Sequence, residues 1–145
     1  MTGRLIGIAR AAIKRGPMEE LDRVRVTVEA GVEGDRRGTK PGEQVTVLFR
    51  DGWEDACRDL GEVLPWTTRR SNLYVEGVER PRAAGGRLRI GEVELEVVQE
   101  VAPCLVMEQA RRGLKRAMTP DWRGGVACNV LAGGEIRIGD PVEAG

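Results

Sequence analysis

Residues 87–98 read Arg-Leu-Arg-Ile-Gly-Glu-Val-Glu-Leu-Glu-Val-Val (RLRIGEVELEVV), and their alternation limits the kinds of fold open to the chain. Leu88 and Ile90 fall on one side of the first half; Val93, Leu95 and Val97 fall on one side of the second. A period of two puts apolar side chains on a single face of an extended strand. Gly91-Glu92 lies between the halves as a two-residue connection, so residues 87–90 and 93–98 read as a β-hairpin with one buried face.

The same signals recur on both sides of this hairpin. Residues 5–9 form a candidate first strand. Residues 23–29 (RVRVTVE) alternate, with Val24, Val26 and Val28 on one face, and 44–49 (QVTVLF) are β-rich and more buried in character. Residues 72–76 (NLYVE), 125–131 and 135–138 complete the strands, with Gly139-Asp140 turning before Pro141. A second copy of the pattern, GGEIRIGDPVEA from Gly133, echoes GGRLRIGEVELE from Gly85, and each follows an asparagine-led strand, at Asn129 and Asn72. The two copies read as hairpins obeying one turn chemistry rather than as barrel pseudo-symmetry, because their periods differ.

Helical spacing occurs twice. In DGWEDACRDLG, Trp53, Ala56, Cys57 and Leu60 lie at i, i+3, i+4 and i+7, Asp51 and Glu54 are placed like a capping box, and Gly61 stands at the end. Residues 107–118 put Met107, Ala110, Leu114 and Met118 on one stripe, weakened by Gly113. Many short strands, glycine-rich turns and two short helices predict a mainly β fold, a closed or nearly closed β-barrel with peripheral helices. At 145 residues, the expectation is one domain over 1–145.

Composition bounds the chemistry. Twenty-three basic residues balance 23 acidic ones, so no global field points to nucleic acid or a membrane surface, and any functional charge is local. Apolar residues make up 41% but aromatics only 3%, which predicts a core of Val, Leu, Ile and Ala and argues against base-stacking platforms. There is no histidine, which excludes Ser-His-Asp and Cys-His catalysis, histidine-ligated zinc and an imidazole base. Three widely spaced cysteines form neither a disulfide framework nor a zinc pattern. The start, MTGRLIGIARAAIKR, lacks a continuous apolar run, and no stretch approaches a membrane span, so a cytoplasmic protein is expected.

The cysteines are not equivalent. Cys57 lies on a helical apolar stripe, and Cys128 shares a strand face with Val126 and Val130, so both read as core. Cys104 follows Pro103 after the long alternating run and precedes the second helical pattern. A thiol near a helix N-terminus meets unpaired N–H groups that favour the thiolate, the nucleophilic and metal-ligating form. Position alone leaves a functional thiol and a half-buried structural one equally open. Three basic glycine- or threonine-bearing loops accompany it: GDRRGTKPG (34–42), TTRRSN (67–72) and WRGG (122–125). Glycine lets backbone amides approach an anion, and arginine offers a bidentate fork for phosphate. Gathered at one barrel rim beside Cys104, they would make an anion pocket.

The ordered set GVEGDRR (31–37), RRSNLYVEGV (69–78), GGRLRIGEVELEV (85–97), APC (102–104), RGGV (123–126) and IRIGDPV (136–142) resembles the MOSC domain, the family of the C-terminal part of molybdenum cofactor sulfurase. The resemblance implies a β-barrel and a cysteine, here Cys104, that transfers sulfur or ligates molybdenum. It further implies a cofactor site drawing on Asp35, Arg36, Arg37, Arg70, Asn72, Arg123 and Gly124. Many members carry a histidine where this chain has Arg37, so whatever hydrogen bonding or proton transfer that histidine supplies must be absent or replaced. Molybdenum cofactor is the implied cofactor. PLP, which acts in a separate domain of full sulfurases, has no room in this length. A cysteine desulfurase or an electron-donor redox protein is the implied partner, and reduction of N-hydroxylated compounds is one implied activity. The contrasting reading is a non-catalytic barrel that binds another phosphorylated ligand or a protein partner.

Overall fold

The computed structural model describes residues 2–145. In chain order its strands and helices are β1 (Gly3–Arg10), β2 (Glu19–Glu20), β3 (Arg23–Thr27), β4 (Gly31–Val32), β5 (Val45–Phe49), α1 (Arg50–Leu60), β6 (Leu73–Glu76), β7 (Arg87–Ile90), β8 (Val93–Glu100), α2 (Leu105–Ala110), α3 (Leu114–Met118), β9 (Val126–Ala132), β10 (Gly134–Arg137) and β11 (Pro141–Ala144). Short 3-10 turns span Trp66–Arg69 and Pro120–Trp122.

The expected hairpin is β7–β8, with Ile90 opposite Val93 across the turn. From it the sheet runs β11-β7-β8-β9-β5-β6-β1, and β1 returns to β11 through Gly3 opposite Val142, which closes a seven-stranded barrel. An odd ring cannot be antiparallel at every junction. The one parallel junction is β5–β6, Val47 opposite Leu73, and α1 supplies the crossover that a parallel pair requires. Beside the barrel, β10, β3 and β4 form a three-stranded sheet.

Val45, Val47, Phe49, Leu73, Val75, Leu88, Ile90, Val93, Leu95, Val126 and Cys128 fill the interior, the aliphatic core expected from so few aromatics. A second cluster lies on the outer face of β5, where Leu48 meets Trp53, Ala56, Cys57, Met107, Leu114 and Met118 from the three helices. With both faces covered, all five residues of β5 are buried, which is why 44–49 reads as an apolar run rather than an alternation. No helix among the described residues is long and apolar enough to cross a membrane.

Four local expectations change. The third strand ends at Thr27, because Ala30 N–H bonds Thr27 Oγ1 in a turn that leaves Val28 48% exposed. Helix α1 starts at Arg50 without a side-chain cap: Glu54 pairs back to Arg50, while Asp51 accepts from its neighbour Gly52 and pairs with Arg80 at 3.2 Å, so no capping box forms. Gly61 does end it, in the left-handed conformation. The helix expected over 107–118 is two helices, since Gly113 has φ 90° between α2 and α3, and Ala110 is exposed. The second echo is not a hairpin: β10 pairs with β3, while β11 pairs with β7 and β1. Ile138 N–H bonds Asp22 O and Gly139 N–H bonds Leu5 O, and these bonds carry the chain from one sheet to the other.

Candidate anion-binding cleft

Four separate segments meet at one cleft of about 320 Å³. The turn after β1 brings Lys14 and Arg15, and the β4–β5 loop brings Arg36, Arg37 and Glu43. The end of the 3-10 turn before β6 brings Arg69, Arg70 and Ser71. The link from β8 into α2 brings Val101, Ala102 and Cys104. Among the described residues, none of the six cations has a carboxylate within ion-pairing distance, and Glu43 is already taken by Lys40 at 2.6 Å. In a chain of zero net charge the cleft therefore concentrates unneutralised positive charge, a field that draws anions.

The crowding is visible in the groups themselves. Partial burial, then the neighbouring charge of Arg37, holds the Arg36 guanidinium below its ordinary pKa. Arg69 is 6% exposed, and burial pushes it down to about 10, still charged at neutral pH. After burial, the next influence on Arg69 is Cys104, which raises its pKa, followed by Arg37, which lowers it. Arg69 is fixed by donating from Nε to Gly124 O at 3.0 Å and from Nη2 to Val101 O at 2.8 Å. It thus ties the start of β9 and the segment leading to Cys104 to one floor.

Other residues brace the walls. Asp35 Oδ1 accepts from Ala11 N–H at 3.0 Å and Oδ2 from Arg37 N–H at 3.1 Å, which shapes the loop that presents Arg36 and Arg37. Arg70 adopts φ 66° at the end of its 3-10 turn and donates to Gly16 O at 2.6 Å, anchoring the turn that carries Lys14 and Arg15. Asn72 is buried: its Oδ1 accepts from Thr46 N–H and its Nδ2 donates to Ala9 O, a stitch between β5 and β1. Asp35, Arg36, Arg37, Arg70 and Asn72 also line a pit of about 10 Å³.

Cys104 is exposed at the mouth, in extended conformation immediately before α2, with its carbonyl accepting from Met107 N–H at 3.0 Å. The ladder of β8 ends at Glu100, three residues before Pro103. Cys57 and Cys128 are buried in the outer and inner cores. Burial, with Glu96 adding to it, pushes the Cys128 thiol up to about 12.

Of the expected residues, Arg36, Arg37, Arg70 and Cys104 line the cleft, Asp35 and Asn72 line only the small pit that shares the three arginines, and Gly124 contributes its carbonyl to Arg69. Arg123 does not line the cleft. Its Nη1 donates to Asp59 at 2.6 Å and to Ala117 O at 2.9 Å, tying the start of β9 to the helices, and its Nε is buried without a partner. Lys14 and Arg15 line the cleft although the sequence did not single them out, and Arg69, which stood within a basic loop but not among the expected site residues, lines it as well. Arg69 stood in a doublet with Arg70, and only the turn geometry directs it inward. No group of three or more His, Cys, Asp or Glu suited to a metal gathers among the described residues. The donor set is one thiol beside many cations, which fits an anionic ligand that brings its own metal ligands, with thiolate as a soft addition.

Comparison with known proteins agrees with the fold. The family model described as MOSC domain matches residues 34–143. The crystal structure of the YuaD protein from Bacillus subtilis superposes with a TM-score of 0.83 at 18% identity, covering 99% of this chain and 96% of that one. YiiM from Escherichia coli gives 0.70 at 20% identity, covering 98% and 69%. YiiM from Geobacillus stearothermophilus gives 0.75 at 14% identity, covering 99% and 75%. No match is found among curated protein sequences.

Proposed function

The chain belongs to the MOSC domain family, and from that premise we propose that the cleft binds a molybdenum cofactor, with Cys104 facing its metal. The single observation that carries this reading is the juxtaposition of six unpaired cations with an accessible thiol in one cleft. Arg36, Arg37 and Arg70 would hold the cofactor's phosphate and other oxygens, with Lys14 and Arg15 adding long-range attraction. Arg69 would hold the floor in register through Gly124 and Val101, while Asp35 and Asn72 position the loops rather than touch the ligand. When bound, the cofactor supplies a metal centre for two-electron chemistry, such as reduction of an N-hydroxylated compound with a redox protein as electron donor. Where other members carry a histidine, Arg37 would offer charge and hydrogen-bond donors but no base near neutral pH.

A second reading is favoured by the exposure of Cys104 at the mouth. An accessible thiolate can attack the terminal sulfur of a cysteine desulfurase persulfide, forming the Cys104 persulfide and releasing the donor's thiolate. The cations would then hold the acceptor.

The test mixes purified protein with cofactor released from a donor enzyme and measures retention by native mass and metal analysis. Wild type is expected to retain one cofactor per chain, Arg36→Ala/Arg37→Ala to lose it, and Cys104→Ser to hold it more weakly. Equal retention by all three sinks the proposal. Retention lost only with the arginines, together with a persulfide on wild-type Cys104 after incubation with a desulfurase, selects the second reading.

A further inference from the structure

On the outside of the barrel, well separated in character from the cleft, lies a depression of about 620 Å³ between α1, the 61–66 loop and the outer face of β1 and β6. Small-molecule sites span roughly 300–1,000 Å³. The chain has three tryptophans, one tyrosine and one phenylalanine, and three of these five, Trp53, Trp66 and Tyr74, line this one wall. Trp66 and Tyr74 stack with centroids 5.1 Å apart and planes 7° apart.

The local backbone is adapted to that stack. The β1–β6 register shifts between Leu5 and Gly7, a bulge that sends both Leu5 and Ile8 into the core and turns Ile6 outward into the depression. A Cβ on Gly7 would lie 2.6 Å from Trp66 Cζ2, so the glycine is what lets the indole pack this close to the strand. Bulges are over-represented at sheet edges, at barrel rims and next to active sites.

Its electrostatics are the reverse of the cleft's. All four charged residues that line it are already paired: Arg50 with Glu54 and Glu76, Arg58 with Asp55, and Glu62 with Arg111. The rim therefore offers no unneutralised charge to an ionic ligand. Burial, reinforced by Glu54, pushes the Tyr74 hydroxyl up to about 12, so it stays uncharged well into the alkaline range.

We propose that this depression is a second ligand site, selective for an uncharged, planar aromatic molecule that stacks on Trp66 and Tyr74. The lining is aromatic at Trp53, Trp66 and Tyr74 and aliphatic at Ile6 and Leu64, and its charged residues are paired, so shape and dispersion rather than charge define the occupant. The 3-10 turn that starts at Trp66 ends at Arg69, so the two sites share an element.

Titration with the uncharged probe N-phenyl-1-naphthylamine, read by its fluorescence and by energy transfer from tryptophan, tests the site. Wild type is expected to bind one equivalent saturably. Ile6→Glu is expected to weaken binding at least tenfold, and Val63→Glu several-fold; Val63 is 93% exposed, so that variant keeps the fold. Arg36→Ala/Arg37→Ala is expected to bind as wild type does. Absence of saturable binding, equal affinity in wild type and both glutamate variants, or loss of binding in the arginine variant overturns the proposal. So does self-association that shifts tryptophan emission with protein concentration, because the occupant would then be a second copy of the chain.

Discussion

Arg69 and Arg37 face the same cleft with opposite consequences for stability. Arg69 is buried, and its guanidinium satisfies two carbonyls, Gly124 O and Val101 O. Leaving a buried acceptor unmatched costs about 1–3 kcal/mol. Arg69→Met should therefore destabilise the protein by ~2–5 kcal/mol in urea unfolding, and a loss under ~1 kcal/mol would show that water replaces both bonds. Arg37 is half-buried, has no ion-pair partner among the described residues, and helps to depress the pKa of Arg36. Arg37→Ala should leave stability within ~0.5 kcal/mol or raise it slightly, while weakening anion binding at least tenfold at low salt. A large stability loss without a change in anion affinity would make Arg37 structural. Such a division of labour is invisible in the sequence, where Arg36, Arg37, Arg69, Arg70 and Arg123 look alike. The exposed junction that carries Cys104 was legible because a proline and two changes of periodicity frame it. Its role is left open by position and comes only from the family resemblance. The inward direction of Arg69 was not legible, because it comes from a 3-10 turn that lacks a sequence signature.

At the scale of elements, Gly113 gives a prediction whose sign discriminates. In a continuous helix, Gly→Ala stabilises by about 1 kcal/mol. Here Gly113 has φ 90°, and an added Cβ would lie 3.2 Å from Leu60 Cδ1. A non-glycine residue in that conformation costs ~1–3 kcal/mol. Gly113→Ala is thus expected to lower the midpoint of thermal unfolding; a raised midpoint would mean that α2 and α3 form one helix. The strands were the more legible elements, because a period of two with a buried face leaves little choice of register, as in β7–β8. The failures came where another partner, near or far in sequence, displaces the expected one. The Asp51–Glu54 spacing matches a capping box, but Arg50, one residue earlier, claims Glu54. The echo at Gly133 matches a hairpin, but β3 claims β10.

Across the whole molecule, closure of the barrel buries Cys128 completely, which makes the fold sensitive to alkali. Its thiol is moved from an ordinary value of 9.0 to about 12, so the folded chain keeps a proton that the unfolded chain releases. Stability from this source is full below pH 9 and declines as pH rises toward 12, with a slope of up to one proton per molecule. Cys128→Ala should flatten that part of the stability–pH curve, apart from a constant offset for the cavity it leaves. An unchanged slope would place the alkaline sensitivity elsewhere, Tyr74 included. The barrel class was readable from strand number and turn chemistry. The parallel β5–β6 junction and the convergence of four segments, 14–15, 36–43, 69–71 and 101–104, were not, since both depend on which strands meet.

The proposed function requires one relation, that the thiol of Cys104 and the cations of the cleft act on the same ligand. Molybdenum K-edge absorption of cofactor-loaded protein, wild type against Cys104→Ser, measures that relation directly. One additional sulfur neighbour at the metal in wild type, absent in the variant while the cofactor remains bound, is the predicted result. Identical metal environments in the two proteins would contradict it and leave the cations holding an anion that Cys104 never touches.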